Sequence, residues 1–335
     1  MNKKIIFVAI ILIIAGVSSW IYMKNSSSIS KYSGPIQDIN LQLKWKHQAQ
    51  FAGHYVAIEK GFYEDLGMKV NPIPFDFKES VVDAVVSGKA DFATGSADEI
   101  IFARAKGIPI KAIAIIYRIN PTVAFSLKKS GITKPQDFVG KKVGIEKSAN
   151  IQYLYSAMMS KLNIDRTKIT EIPVGYDAKE LLEGKVDVST GYITNEPNLV
   201  KEAGQDVNTI LMADYGVDMY ADVLFTTEKM INTNPDLVAR FVQATIKGWQ
   251  YALENEEEAV DMTLKYATNS NIIHELSMLH NSAPLIHTGT APLGYMDQSG
   301  WEKAQNILVE QKLLTKPINI TDVYTVQFLD LIYKK

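Results

Sequence analysis

LQLKWKHQAQFAGHYVAIEKGFYEDLGMKV, residues 41–70, changes its hydrophobic period part-way along. Leu41, Leu43 and Trp45 alternate with polar residues, whereas Tyr55, Val56, Ile58, Phe62 and Tyr63 fall at helical spacing. The stretch predicts a strand, a loop and a helix. The loop carries Trp45, His47, Gln48, Gln50 and Gly53 beside a helix start, where backbone N–H groups have no partner within the helix. Ligands of open α/β sheets sit at the carboxyl ends of strands, so Trp45, Gln50 and Gly53 are candidate ligand contacts.

The same alternation continues on both sides. Residues 70–75 read as a short strand broken by Pro72 and Pro74, 79–87 as a helix closed by Gly88, 90–94 as a strand, 100–106 as a helix and 110–117 as a strand. After a β-like run at 123–128 and a turn-rich connector at 131–140, the rhythm returns with strands at 142–146, 169–174 and 186–189. Helices are predicted at 151–162, 178–183 and 196–203. A G-K-[A/V]-D element occurs in each run, as Gly88-Lys89-Ala90-Asp91 and Gly184-Lys185-Val186-Asp187. Residues 220–226 read as a strand returning to the first half, and the remainder as largely helical, with Leu237, Phe241, Ile246 and Trp249 on a buried helix side.

These elements predict an α/β chain in two lobes, the first from 37–125 and 220–335, the second from 126–219. Two crossings, near 121–128 and 220–227, make a hinge over a cleft that can close on a ligand.

Composition narrows the function. A chain of 335 residues, 47% hydrophobic, is long enough for two cores. A net charge of −2 gives no attraction to nucleic acid. The chain has no cysteine, which removes disulfides, thiolate metal sites, thiol nucleophiles and a lipid anchor on cysteine. Residues 1–24 read as a signal peptide or a signal anchor. Lys3 and Lys4 precede an apolar run; Val17-Ser18-Ser19 offers a cleavage site, while the 19 uncharged residues 5–23 are long enough to span a bilayer uncut. Either way the body lies outside the cytoplasm. Residues 25–36, Ser-rich, are a polar tether.

A second segment, VGYDAKELLEGKVDVSTGYITNEP at 174–197, sets Tyr192, Asn195 and Glu196 between a strand end and a helix start, with Pro197 suited to the first helical turn. Glu196 has two readings: a helix cap stabilised by about 0.3–1 kcal/mol, or an acceptor for ligand amino groups with Tyr192 or Trp45 stacked on the ring. Ser96 lies between a strand and a helix, in a segment that either presents N–H and hydroxyl donors to a ligand or is a plain turn. Tyr117, at a strand end before the first crossing, is placed for a cleft wall. Asp222, at the second crossing, suits a ring amine or a hinge hydrogen bond. Tyr55, Phe62 and Tyr63 read as core. His274, His280 and His287, spaced six and seven apart, do not share a helix face and read as surface residues.

Trp45 with QFAG-Y-A, KGFYEDLG, the GYD…LLEGKVD run, ITNEP and YGVDMYADVLFT with GWQYAL together resemble the periplasmic solute-binding proteins related to thiamine-pyrimidine synthase, over residues 37–331. The resemblance implies a type II periplasmic-binding fold, a monomer, and a ligand that is a pyrimidine precursor of thiamine such as formylaminopyrimidine. It implies delivery to an ABC permease or, alternatively, reporting to a membrane sensor protein. The family's fungal members are enzymes that use a Lys-bound pyridoxal phosphate and a His of their own chain. In the register of Ser87-Gly88-Lys89-Ala90-Asp91, Gly95 and Glu99 stand where those residues would be, so the resemblance carries no enzyme activity and no cofactor.

Overall fold

A computed structural model describes residues 32–334; the expected leader at 1–24 and most of the tether at 25–36 lie outside them. Residues 1–35 and 36–335 separate into two units, and the fold below is that of the second.

Strands β1 (Gln37–Gln42), β2 (Met68–Ile73), β3 (Phe92–Gly95) and β4 (Ile110–Tyr117) alternate with helices α1 (Ala52–Glu59), α2 (Val81–Val86) and α3 (Ala97–Ala105). The chain then runs β5 (Thr122–Leu127), β6 (Lys142–Glu146), α4 (Ala149–Lys161), β7 (Thr170–Val174), α5 (Lys179–Leu182), β8 (Val188–Tyr192), α6 (Glu196–Glu202) and β9 (Val207–Leu211). After β10 (Ala221–Thr227) come α7 (Glu228–Thr233), α8 (Pro235–Glu254), α9 (Glu256–Leu264), α10 (Ile272–Ile286), α11 (Gln298–Glu310) and α12 (Gln327–Tyr333). Among the described residues no helix is long and apolar enough to cross a membrane.

The strands form two sheets, ordered β2-β1-β3-β10-β4 and β7-β6-β8-β5-β9. In each, one strand pairs in parallel with both neighbours (β1, β6), and the strand arriving from a crossing (β10, β5) pairs antiparallel. The result is the two-lobed α/β fold that the alternation predicted. The expected lobe boundary at 125 falls inside β5, which pairs along its length with β9 and so stands wholly in the second sheet.

The repeated G-K-[A/V]-D elements do the same work in both lobes. Asp91 donates its N–H to the Asn40 carbonyl at 2.9 Å and accepts the Asn40 N–H at 2.8 Å; Asp187 does both with Lys142, each at 2.8 Å. Each aspartate thus clips the start of the third strand to the first strand of its sheet.

The first lobe is consolidated by the crossing of α1 and α8. Phe241, Ile246 and Trp249 of α8 are buried, and Phe241 stacks on Phe92 with ring centroids 3.9 Å apart. Burying each such side chain contributes about 1.5–3 kcal/mol. The helices meet backbone to backbone: a Cβ on Gly248 would lie 2.1 Å from the Gly53 carbonyl oxygen, and one on Gly53 2.2 Å from the Trp249 ring. Gly53, expected near a ligand, is a packing glycine. Tyr55 and Tyr63 are core residues, as their spacing suggested.

Candidate functional site

The carboxyl ends of β1, β2 and β3 face those of β6, β7 and β8 around a cavity of about 270 Å³. Trp45, Phe75 and Phe77 reach it from the first lobe and Tyr176 from the second. Trp45 meets Phe77 edge-on at 5.2 Å and Tyr176 at 4.8 Å, so aromatic rings touch across the mouth. Phe77 is 51% exposed and has a φ of 64°. A bulky residue in that backbone region costs about 1–3 kcal/mol, strain that collects at ligand clamps.

The polar floor belongs to the first lobe. Lys44 Nζ lies 3.2 Å from Asp222 Oδ1, and Gln50 Nε2 donates to both Asp222 oxygens at 2.9 Å. Asp222 is buried with a φ of 49°, a second strained residue beside the cavity. Burial works against the Lys44 charge, but Tyr192, Asp222 and Glu99 outweigh it and hold the ammonium above its ordinary range. Lys44 also donates to the Tyr192 hydroxyl at 3.4 Å, a tie between lobes. A second tie runs from Asn150 Nδ2 to Asp98 Oδ1 at 3.1 Å.

The opposite wall carries two buried carboxyl groups. Glu196 Oε2 accepts the Tyr192 N–H at 2.7 Å and Oε1 accepts from Asn195 Nδ2 at 2.6 Å. Gly191 makes room, since a Cβ there would lie 2.5 Å from Oε2. Glu146 accepts from the Ser148 hydroxyl at 2.6 Å. Burial first, then the Glu196 charge, pushes Glu146 up to about 8, and burial pushes Glu196 up to about 7 against the hydrogen bonds it accepts. The pair holds a proton into the neutral range. This wall therefore presents both an acceptor and an O–H donor.

Of the residues expected from sequence, Trp45, Gln50, Ser96, Tyr192, Asn195 and Glu196 line the cavity together. Asp222 does not line it but is bonded to Lys44 and Gln50, which do. Ser96 spends its N–H and hydroxyl on Glu99 Oε2, at 2.8 and 2.9 Å, so it serves chiefly to start α3. Tyr117 is buried with its hydroxyl 2.6 Å from Ser282 on α10, away from the cavity. His274, read as a surface residue, is buried at 7% exposure between the lobes, whereas His280 pairs with Glu256 on an exposed face. Lys44, Glu146, Phe77 and Tyr176 were not singled out by the sequence; each needs a partner from a distant segment to be recognised.

A family model described as NMT1/THI5 like matches residues 48–259, more than half of the chain. The chain belongs to the NMT1/THI5-like family. Within it, the chain is 28% identical over 306 residues to the riboflavin-binding protein RibY of Chloroflexus aurantiacus, covering 88% of this chain and 86% of that protein. It is 25% identical to a formylaminopyrimidine-binding protein of Halalkalibacterium halodurans, covering 87% and 90%. It is 24% identical to a 4-amino-5-hydroxymethyl-2-methylpyrimidine phosphate synthase of Legionella pneumophila, covering 87% and 92%. The fold of this NMT1/THI5-like chain is also that of the periplasmic sulfonate-binding protein SsuA from Methylobacillus flagellatus, with a TM-score of 0.69 at 17% identity over 89% and 94% of the two chains.

Proposed function

We propose that the chain is an extracytoplasmic solute-binding protein that closes on a small amino-substituted aromatic heterocycle, a pyrimidine precursor of thiamine, for delivery to an ABC permease. The observation that carries this reading is a cavity walled by both lobes, with Trp45 and Tyr176 in contact across its mouth. A flat ring fits between such side chains, and the Glu196–Glu146 wall supplies acceptors for ring amino groups. The formylaminopyrimidine-binding relative supports the ligand class, and the leader expected at residues 1–24 supports export.

A synthase reading has a relative in its favour, but the cavity opposes it. Among the described residues Lys44 is the only lysine lining it, and its amine is committed to Asp222 and to the Tyr192 hydroxyl, which favour the ammonium over the free amine that adds to an aldehyde. Purified protein mixed with pyridoxal phosphate should show no internal-aldimine absorption.

The deciding experiment is calorimetric and thermal-shift titration of the purified chain with formylaminopyrimidine, hydroxymethylpyrimidine and riboflavin. Binding of a pyrimidine, lost in Glu196→Gln, supports the reading. Binding of riboflavin alone would keep a solute-binding protein and overturn the pyrimidine ligand.

A further inference from the structure

Four residues form one hydrogen-bonded line from the first lobe to the ligand cavity. His274, in the first turn of α10, has Nδ1 2.8 Å from Glu202 Oε1 and Nε2 2.9 Å from Asn195 Oδ1. Asn195 in turn donates from Nδ2 to Glu196 Oε1 at 2.6 Å. Glu202 and Asn195 flank α6 in the second lobe, while α10 holds the first lobe, where Glu275 accepts the Ala49 N–H. The line is therefore complete only when the lobes are together.

Counting donors restricts its protonation. In this arrangement both ring nitrogens face oxygen acceptors, which an imidazolium donating both ways satisfies beside an ionised Glu202, while Glu196 accepts as a carboxylate. Turning the Asn195 amide by half a rotation gives the other solution: Nδ2 donates to a neutral Nε2, and Oδ1 faces Glu196, which must then carry a proton. The two arrangements hold the same number of protons. They differ in whether one proton sits on His274 Nε2 or on Glu196. With that proton gone, one contact pairs two acceptors and the line breaks.

We propose that His274 is a positioning residue for ligand recognition: through the Asn195 amide it sets whether Glu196 meets the ligand as a carboxylate or as a carboxylic acid, and it does so only in the closed form. The inference rests on the reading that Glu196 contacts the ligand. The charged groups facing this line are Glu202 from α6, Glu196 and its neighbour Glu146 from the cavity, and Glu275 on α10 itself. A ligand amino group favours the carboxylate, which drives the proton onto His274 and secures the lobes. Affinity should then be highest at intermediate pH, falling on the acid side as Glu196 protonates and on the alkaline side as the line loses its proton.

Two measurements test this on the full chain. In long-range ¹H–¹⁵N spectra of the formylaminopyrimidine-bound protein, assigned with His274→Gln, Nδ1 of His274 should carry a proton in both arrangements, and its Nε2 should titrate in step with the Glu196 carboxyl ¹³C signal. Asn195→Ala should separate the two titrations. A proton on Nε2 alone, or independent titrations in the unmodified chain, overturns the proposal. With formylaminopyrimidine as probe between about pH 5.5 and about pH 8.5, affinity should fall about tenfold on the alkaline side. His274→Gln should flatten that limb with its thermal midpoint retained, and Glu202→Gln should move it to lower pH. If Glu196→Gln leaves binding unaltered, the reading of the site fails; if Glu196→Gln weakens binding but His274→Gln keeps the alkaline limb, this inference alone fails.

Discussion

Lys44 and Glu146 are one position built twice. Each follows or ends the first parallel strand of its lobe and donates its backbone N–H, at 2.9 Å, to a threonine hydroxyl on the third, Thr94 or Thr190. The two lobes thus hold an ammonium and a carboxyl group at matching posts on facing walls of one cavity. A ligand spanning it meets a cation at one end and carboxyl groups at the other, which suits a ring with an acceptor on one side and amino groups on the other.

The carboxyl wall makes stability fall as pH rises. Burial raises Glu146 and Glu196 in the folded chain to about 8 and about 7, so the folded state binds more protons than the unfolded one between the ordinary carboxyl range and those values. The stabilisation is fully present below the unfolded value and lost through the folded one. The ligand-free protein should become steadily less stable between about pH 5 and about pH 8 through this pair, and Glu146→Gln should remove much of that slope and be the more stable form at about pH 8. Urea midpoints across that range are the check; a wild-type slope unchanged in Glu146→Gln refutes it.

Lys44→Met should leave the Asp222 carboxylate buried with Gln50 as its sole remaining side-chain donor among the described residues. Removing one partner of such a pair should cost about 3 kcal/mol, and most of it should return in Lys44→Met/Asp222→Asn. Denaturant titration of the single and double variants measures both.

Trp45→Ala removes the ring that touches both Phe77 and Tyr176. Affinity for the bound heterocycle should fall by about 2 kcal/mol, roughly thirtyfold, with Trp45→Phe retaining much of it. Calorimetry reads the difference directly, and equal affinity in Trp45→Ala would place the ring outside the binding surface.

At the helix crossing, Gly248→Ala drives a methyl group into the Gly53 carbonyl and the Ala57 side chain, at 2.1 and 2.7 Å. Overpacking of this kind should cost about 3 kcal/mol. Guanidinium unfolding should show it, while the ligand contacts of the folded form stay in place.

The sequence made the alternation of strands and helices legible because period two and period 3.6 are local properties. Strand 110–117 was read to the residue, and the segments holding Trp45 and Glu196 were found. What escaped depends on distant partners. Lys44 looks like Lys46 in sequence, and its partners from distant segments, Asp222 and Tyr192, distinguish it. Tyr117 ends a strand as expected but turns to Ser282, and Gly53 answers to Gly248 and Trp249. Strand β9, half exposed along VNTIL, has too little apolar alternation to announce itself.

The order of the strands has a consequence for how the chain acquires its shape. All five strands of the second sheet come from one uninterrupted run, Thr122 to Leu211, so that lobe can assemble as soon as the run has emerged. The first sheet cannot: β10 sits between β3 and β4, and until residues 221–227 arrive its middle is a gap flanked by unpaired edges. A chain leaving a ribosome or a translocation channel amino end first therefore completes its second sheet before its first, and strands β1 to β4 wait, adhesive and in need of protection, for β10 to close them.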